Sequence, residues 1–328
     1  MHAASLLCQK SVRFKHMHKY ILKRLLWLVP IILGVAVLVF TLMYFCPGDP
    51  AEIILGAGAS DAEKEYLRIS LGLNDPFLIR LGRFLKDTFI RFDFGRSWIT
   101  NMSIAESIAE RLPRTMLLAA AIMLLSVTVG IPLGVVAATH QNGWQDNLCM
   151  ALALLGVSVP SFWMALLLII VFSIKLDLLP PMGIGGIQYY ILPALAGCTG
   201  GIAALARQTR SSMLDVIRSD YITTARSKGV SESRVITKHA LKNALIPIIT
   251  IVGTQFGRLL GGTMILETIF GIPGLGSYIV SGVSNRDYPV VMIGSIVLAV
   301  MFSLCMLGVD LIYAAVDPRI KAQYAKKR

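Results

Sequence analysis

Six apolar stretches run along the chain, each separated from the next by polar or glycine- and proline-rich sequence. Leu25 to Phe45 carries no charge. Met116 to Ala138 and Leu148 to Ile174 follow, parted by a short polar loop. Tyr189 to Ala206 is shorter, and Ala244 to Leu266 is interrupted only by Arg258. Val290 to Val309 is uncharged and continues through Asp310 to Val316. About 20 apolar helical residues cross a hydrocarbon core about 30 Å thick. The pattern therefore predicts an all-α membrane protein with six transmembrane helices.

The longest stretch between spans, 47–114, has its own helical pattern. Pro47, Gly48 and Pro50 end the first helix, because proline lacks the backbone donor and fixes φ. A helix is predicted over Asp61 to Leu71, with Asp61 at its N-cap and Gly72 as its stop. Ile79 to Phe92 alternates apolar and basic residues at helical spacing, and Ile104 to Leu112 predicts a further short helix. These helices form a layer on or near the membrane surface. It serves either as a cap on the bundle or as a contact for solute or a binding protein.

Composition agrees with membrane residence. Of the 328 residues 55% are hydrophobic and 15% charged, and the mean hydropathy of +0.68 leaves too little polar surface for a water-facing exterior. The net charge of +12 changes meaning once its placement is read. Lys10, Arg13, Lys15, Lys19, Lys23 and Arg24 precede the first span. Arg207, Arg210, Arg218, Arg226, Lys228, Arg234, Lys238 and Lys242 lie between the fourth and fifth. Arg319, Lys321, Lys326, Lys327 and Arg328 follow the last. Six spans put all three clusters on one side, and positive charge marks that side as the cytoplasm. The expected topology is N-in/C-in, with 47–114 extracytoplasmic. The loop His140 to Asn147, also on the cytoplasmic side, has no Lys or Arg and adds nothing to this signal. Basic charge here is a topology signal and not a nucleic-acid footprint. The first apolar run exceeds a 7–15-residue secretory core and no small-residue cleavage site follows, so it is expected to stay attached. Residues 1–16 read as an extra tail, with Met17 as an alternative start.

Other chemistries find little support. Cys8, Cys46, Cys149, Cys198 and Cys305 show no CxxC spacing, so neither a disulfide framework nor a metal site is expected. His2, His16, His18, His140 and His239 all lie outside the apolar runs, which speaks against an intramembrane metal site or enzyme. No GxxxxGK[ST] loop is present, and Gly271 to Gly276 lacks the lysine a phosphate loop needs. No catalytic residue is assigned, no cofactor is expected in this chain, and any ATP chemistry belongs to another chain.

The segment between the fourth and fifth spans carries the strongest functional signal. It reads Asp220-Tyr-Ile-Thr-Thr-Ala-Arg-Ser-Lys-Gly229, then Val230 to Pro247. Ser219 or Asp220 caps a short helix bearing Thr224, Ala225 and Arg226. Gly229 supplies a sharp turn, and Ser231 opens a second helix. Small residues at Thr224 and Ala225 admit a close partner backbone, and Gly229 permits a bend that a β-carbon resists. A helix that docks in a cleft on a partner and transmits rigid-body force has these requirements.

Thr224-Ala225-Arg226, Gly229 and Ile246-Pro247 resemble the EAA loop of ABC import permeases. Asp220-Tyr221, Lys228-Gly229, His239-Ala240 and Asn243-Ala244 narrow the resemblance to the B-type subunits of the dipeptide, oligopeptide and nickel permease family. From Met17 onward the landmarks continue: Leu71 to Pro76, Phe94 to Ser97, Glu110 to Pro113, Gly130 to Gly134, Ser158 to Ser161, Phe270 to Gly276, Asn285 to Pro289 and Asp317 to Arg319. The resemblance implies a type I ABC importer permease fold that passes di- or oligopeptides, with nickel or a metal-chelate complex as the alternative cargo. It implies a second similar permease in a heterodimer, two ABC ATPase subunits that bind ATP and Mg, and an extracytoplasmic solute-binding protein. The setting is the cell membrane of a bacterium or archaeon. The ATPase-coupling residues are then Asp220, Tyr221, Thr224, Ala225, Arg226, Lys228, Gly229 and Pro247. A secondary transporter is the competing class, but the midplane acids that ion coupling uses are nearly absent.

Arg258 departs from the neutral residue expected at that place in the family. A charge at span depth costs roughly 2.5–3.5 kcal/mol on insertion scales and faces the interior or water. It either lines the solute path, where it would attract a peptide carboxylate, or pairs with Glu267 or a partner permease. Gly130 and Gly134, and Gly253, Gly257 and Gly261, present small-residue faces for close helix packing. The expected partition is a cytoplasmic tail 1–19, a first transmembrane helix 20–46, an extracytoplasmic helical segment 47–114, a five-helix permease core 115–316 containing a cytoplasmic coupling loop 207–243, and a cytoplasmic tail 317–328.

Overall fold

A computed structural model describes residues 24–56 and 58–316. The basic N- and C-terminal tails and the alternative start at Met17 lie outside the described residues. Every named element is helical, and the sole β feature among the described residues is a bridge between Arg96 and Ser103. In chain order the helices are α1 Arg24–Tyr44, α2 Pro50–Leu55, α3 Asp61–Ser70, α4 Phe77–Lys86, α5 Ile104–Thr139, α6 Trp144–Ser158 and α7 Ser161–Leu168. Then come α8 Gln188–Ile217, α9 Asp220–Ser227, α10 Glu232–Arg234, α11 Leu241–Gly262, α12 Met264–Ile269, α13 Leu275–Ser284 and α14 Tyr288–Val316. Turns of π-helix extend α4 through Asp87–Arg91, extend α7 through Ile169–Lys175, and join α10 to α11 through Val235–Ala240.

Five continuous helices are long and apolar enough to cross a membrane, and a bent pair brings the number to six when taken as one span. That pair puts a corner inside the apolar run Leu148 to Ile174. Residues 144–158 and 161–175 meet at 95°. The cause is local: Pro160 has no N–H to donate, and its ring pushes Val159 out of the helical region, to φ −88° and ψ 119°.

Other boundaries also move. The short helix expected over Ile104 to Leu112 is the first part of the 36-residue α5, which runs through Pro113 and Pro132. Two prolines cost less here than two helix ends would, since a broken end exposes carbonyls and amides that then need partners. The fourth span, expected to stop near Ala206, continues to Ile217 because Thr209, Ser212 and Met213 are buried. The loop placed at 207–243 therefore begins at Arg218. The fifth apolar run, expected unbroken to Leu266, ends at Gly262 and restarts as α12 after Thr263. Two consecutive glycines disfavour helix there.

The chain divides into two compact units. One contains the residues up to Glu110 together with Tyr278–Leu307. Within it Phe40 stacks on Phe84 at 5.3 Å, and Tyr44 meets Phe77 edge-on at 5.0 Å. The N-cap of α3 is Ser60 and not the predicted Asp61: the Ser60 hydroxyl accepts from Glu63 N–H, and the Glu63 carboxylate accepts from Ser60 N–H. Asp49 caps α2 by accepting from Ala51 N–H, and it also receives both Nε and Nη2 of Arg68. Asp287, just before α14, accepts from the Ser97 hydroxyl and from Trp98 N–H.

The second unit, Arg111–Ser277 with the chain from Gly308, is built around α8, which packs against α6, α7 and α11. One apolar core gathers Leu118, Ile122, Ala165, Leu192, Leu266 and Phe270. At Gly134 a β-carbon would lie 2.5 Å from the Ala206 carbonyl oxygen, so α5 reaches this close to α8 only because glycine stands there.

Candidate coupling segment and adjoining helix ends

The chain leaves α8 at Ile217 and turns at once into α9. Ser219 stands at the N-cap with extended backbone, yet its hydroxyl donates to Val216 O at 2.6 Å and caps no α9 amide. The start of α9 is thus held by the end of α8 instead of by its own cap. At the other end the chain closes in a Schellman arrangement. Gly229 N–H donates to Arg226 O at 2.9 Å and Val230 N–H to Ala225 O at 3.3 Å, with Gly229 at φ +75°. Gly229 does here what its place in the sequence predicts.

A single fully buried side chain, Ile222, anchors α9. It enters an apolar cluster with Ala138, Met213, Val235, Ala240 and Ala244, and Ala225 and Val230 pack on its edge. Ala225 is half-buried, whereas Asp220, Tyr221, Thr224, Arg226, Lys228 and Gly229 are exposed. The helix therefore offers a small polar face to an outside partner while one isoleucine fixes it to the bundle. Arg226 reaches across the turn to grip Glu232 with Nε at 3.0 Å and Nη2 at 2.6 Å. This ion pair raises the Arg226 pKa further. Thr224 donates to Asp220 O, and Asn243 donates to the Tyr221 hydroxyl at 2.9 Å, tying α9 to α11. Pro247 is not brought to the turn. It sits inside α11, beyond Ala244, and is exposed.

Sequence reasoning missed one structural partner of this segment. The loop between α5 and α6 has no basic residue, but Asp146 in the first turn of α6 is 2% exposed and takes Nε and Nη2 of Arg210, each at 2.6 Å. Asn142 N–H completes the carboxylate, and Arg218 donates to Gln141. Arg210 and Arg218, counted in the sequence as charges of a loop, hold the α5–α6 turn against α8. The signal available was Asp146 itself, a lone acid at the onset of an apolar helix.

The two solute-path candidates separate. Arg258 is exposed on α11. Glu267 is fully buried, and its carboxylate accepts from the Thr115 hydroxyl at 2.8 Å, the Thr263 hydroxyl at 3.0 Å and Ser277 N–H at 2.8 Å. Leu275 N–H in turn donates to the Thr115 oxygen. Glu267 thus ties α5, the α11–α12 break and the start of α13 together. Among the described residues no ion pair joins it to Arg258.

An all-helical chain with five or six apolar spans, and a short exposed helix docked on their ends, defines a multi-pass membrane component. The family described as binding-protein-dependent transport system inner membrane component matches residues 130–322, and its N-terminal counterpart matches 17–119. The chain belongs to this family and is an ABC importer permease, the membrane component of a system that works with a solute-binding protein and ATPase subunits. It is 44% identical over 309 residues to a putative peptide transport system permease of Brucella abortus (strain 2308), covering 92% of this chain and 98% of that protein. It is 42% identical over 305 residues to the glutathione transport system permease GsiC of Salmonella paratyphi A, covering 93% and 99%. It is also 42% identical over 330 residues to the dipeptide transport system permease DppB of Alkalihalophilus pseudofirmus, covering 92% and 99%. Among solved structures, the inward-facing MetNI methionine ABC transporter gives a TM-score of 0.54 at 16% identity, over 66% of this chain and all of that one. That likeness concerns the fold.

Proposed function

We propose that this chain passes di- and oligopeptides inward, received from an extracytoplasmic binding protein, while two partner ATPase subunits bind and hydrolyse ATP with Mg. The observation that carries the reading is α9, a two-turn helix exposed along its polar face and locked to the bundle by Ile222 and the Gly229 turn. A rigid short helix with small and polar side chains fits a cleft on an ATPase, and its anchoring lets closure of that partner tilt the helices it rests on. Asp220, Tyr221, Thr224, Ala225, Arg226, Lys228 and Gly229 form the coupling element, and Pro247 has no direct part in it. A second similar permease stands beside this one as a heterodimer. The peptide cargo is supported by the relatives, named as a putative peptide, a glutathione and a dipeptide transport system permease.

In this reading the chain spans the cell membrane of a bacterium or archaeon six times, the bent pair counting as one span. The coupling loop and both ends are cytoplasmic, and α2–α4 lie on the outer side. The placement of the basic clusters supports that orientation. Arg258, exposed on α11, is the solute-path candidate, and Glu267 holds the helix junction.

The test is uptake of a labelled tripeptide by the complete transporter, with its binding protein, in sealed liposomes. Uptake requires ATP on the ATPase face, and a cysteine at Thr224 cross-links to an ATPase subunit. Uptake without ATP, or a Thr224 cysteine that reacts only from the opposite face, overturns the reading. Arg258→Gln lowers uptake of acidic peptides more than of neutral ones. Equal uptake of both removes Arg258 from the path.

A further inference from the structure

A cavity of about 160 Å³ lies among α1, the α3–α4 turn, α4 and the start of α14, lined by Phe40, Tyr44, Arg80, Trp98, Tyr288 and Met292 among others. It falls below the roughly 300–1,000 Å³ of small-molecule pockets, so it admits a phosphate-sized group and neither a peptide nor a whole lipid. Its walls are graded. Tyr44 is the last residue of α1 and Tyr288 the first of α14, with Phe40 and Met292 about one turn deeper along the apolar helices. Aromatic residues at helix ends of this kind mark the level of lipid headgroups.

Two polar groups in the wall are incompletely satisfied. The Tyr288 side chain is buried, at 6% exposure, and its hydroxyl has no nitrogen or oxygen partner, with only the Cys46 thiol beside it. Arg80 lies 5.0 Å from the centre of the Tyr44 ring and donates through Nη1 to Leu73 O at 3.1 Å. Among the described residues no acceptor meets its Nε or Nη2. Burial lowers the Arg80 pKa from its ordinary value, the mark of a cation short of water. The other charges in the wall are matched: Arg83 pairs with Asp75, and Asp87 pairs with Arg91. Arg80 is therefore the charge left for a ligand, and it lines the same cavity as Phe40, Trp98 and Met292.

We propose that this cavity binds the phosphate of a membrane phospholipid, with Arg80 donating to it and the acyl chains lying outside it along the apolar helices. Guanidinium groups pair with phosphate oxygens through paired, charge-assisted hydrogen bonds. A lipid supplies in one molecule the anion for Arg80 and the apolar chains for the helices outside.

The experiment is native mass spectrometry of the complete transporter released from nanodiscs of phosphatidylglycerol and phosphatidylcholine, counting lipids retained as activation rises. The wild type keeps one more tightly held phospholipid than Arg80→Gln, whose occupancy falls about tenfold, the loss of about 1.4 kcal/mol. Arg80→Lys restores part of the occupancy. Met292→Trp, which fills the floor and leaves Arg80 in place, abolishes retention and serves as the second variant if Arg80→Gln assembles poorly. Equal retention by wild type, Arg80→Gln and Met292→Trp overturns the proposal. So does displacement of the retained lipid by millimolar inorganic phosphate, which would make the site one for a free anion.

Discussion

Asp146 and Arg210 join the start of α6 to α8 by two parallel hydrogen bonds of 2.6 Å, with the Asp146 side chain 3% exposed. A carboxylate so enclosed depends on its partner, because removing either side strands a charge. Asp146→Ala is expected to destabilise the chain by roughly 2–5 kcal/mol, toward the lower end because the Arg210 side chain keeps 28% exposure. The double variant Asp146→Leu/Arg210→Met should unfold closer to wild type than Asp146→Ala alone. Thermal unfolding of the purified complex checks both. A double variant no better than the single one would mean that the pair does not act as a unit.

Ile222 is the sole fully buried side chain of α9. Ile222→Ala should loosen the helix by about 2–5 kcal/mol of local packing, leaving the spans folded. Gly229→Val places a branched side chain at φ +75° and should cost the turn about 1–2 kcal/mol. Both variants are expected to keep ATP hydrolysis by the partner subunits while uptake falls several-fold. Assaying hydrolysis and uptake side by side reads the uncoupling. Loss of both activities together would point to misassembly.

The turn at Gly229 was legible because a left-handed residue after a short helix leaves a glycine, and glycine alone takes that conformation freely. The apolar spans were legible because bilayer depth imposes a run length. The end of α8 was not, since its last turns are buried through Thr209, Ser212 and Met213, and a count of apolar residues passes over hydroxyls. Asp146 was hidden for the same kind of reason. Its partner lies 64 residues away, and no spacing rule connects two helices that meet only after folding. Glu267 read as a charge near the pathway, and the bond from Thr115, 152 residues away, that joins it to α5 follows from no spacing rule.

Gly134 faces α8 with no room for a side chain. A β-carbon there would stand 2.5 Å from both the Ala206 carbonyl oxygen and the Thr209 Cβ. Gly134→Leu is expected to push α5 from α8 and cost at least about 1–3 kcal/mol of overpacking. Gly261→Leu, where nothing lies within 4 Å, should be tolerated in the isolated chain. Folded yield in detergent by size-exclusion fluorescence separates the two.

Asp49 caps α2 and binds Arg68, and the Arg68 guanidinium beside it holds its carboxyl below the ordinary carboxylate range. A carboxyl with a lowered folded pKa contributes stability that is fully present above its unfolded value near 4, and that contribution fades as pH falls through the folded value. The difference in unfolding temperature between wild type and Asp49→Asn should therefore be largest at pH 6 to 7 and shrink below about pH 4. A difference that persists unchanged at pH 3 would assign the effect to the side-chain amide instead of to ionisation.

The corner between α6 and α7 limits where this chain can lie. Each arm is about 15 residues, or roughly 22 Å of helix, too short to bridge the hydrocarbon alone. Ser158 and Pro160 at the corner are exposed in the single chain. As one span, the elbow would sit at a depth where acyl tails offer nothing to a bare peptide group, so water or a neighbouring protein has to shelter it. Counted as one span, the kink would turn its own side of the helix pair away from the surrounding fat.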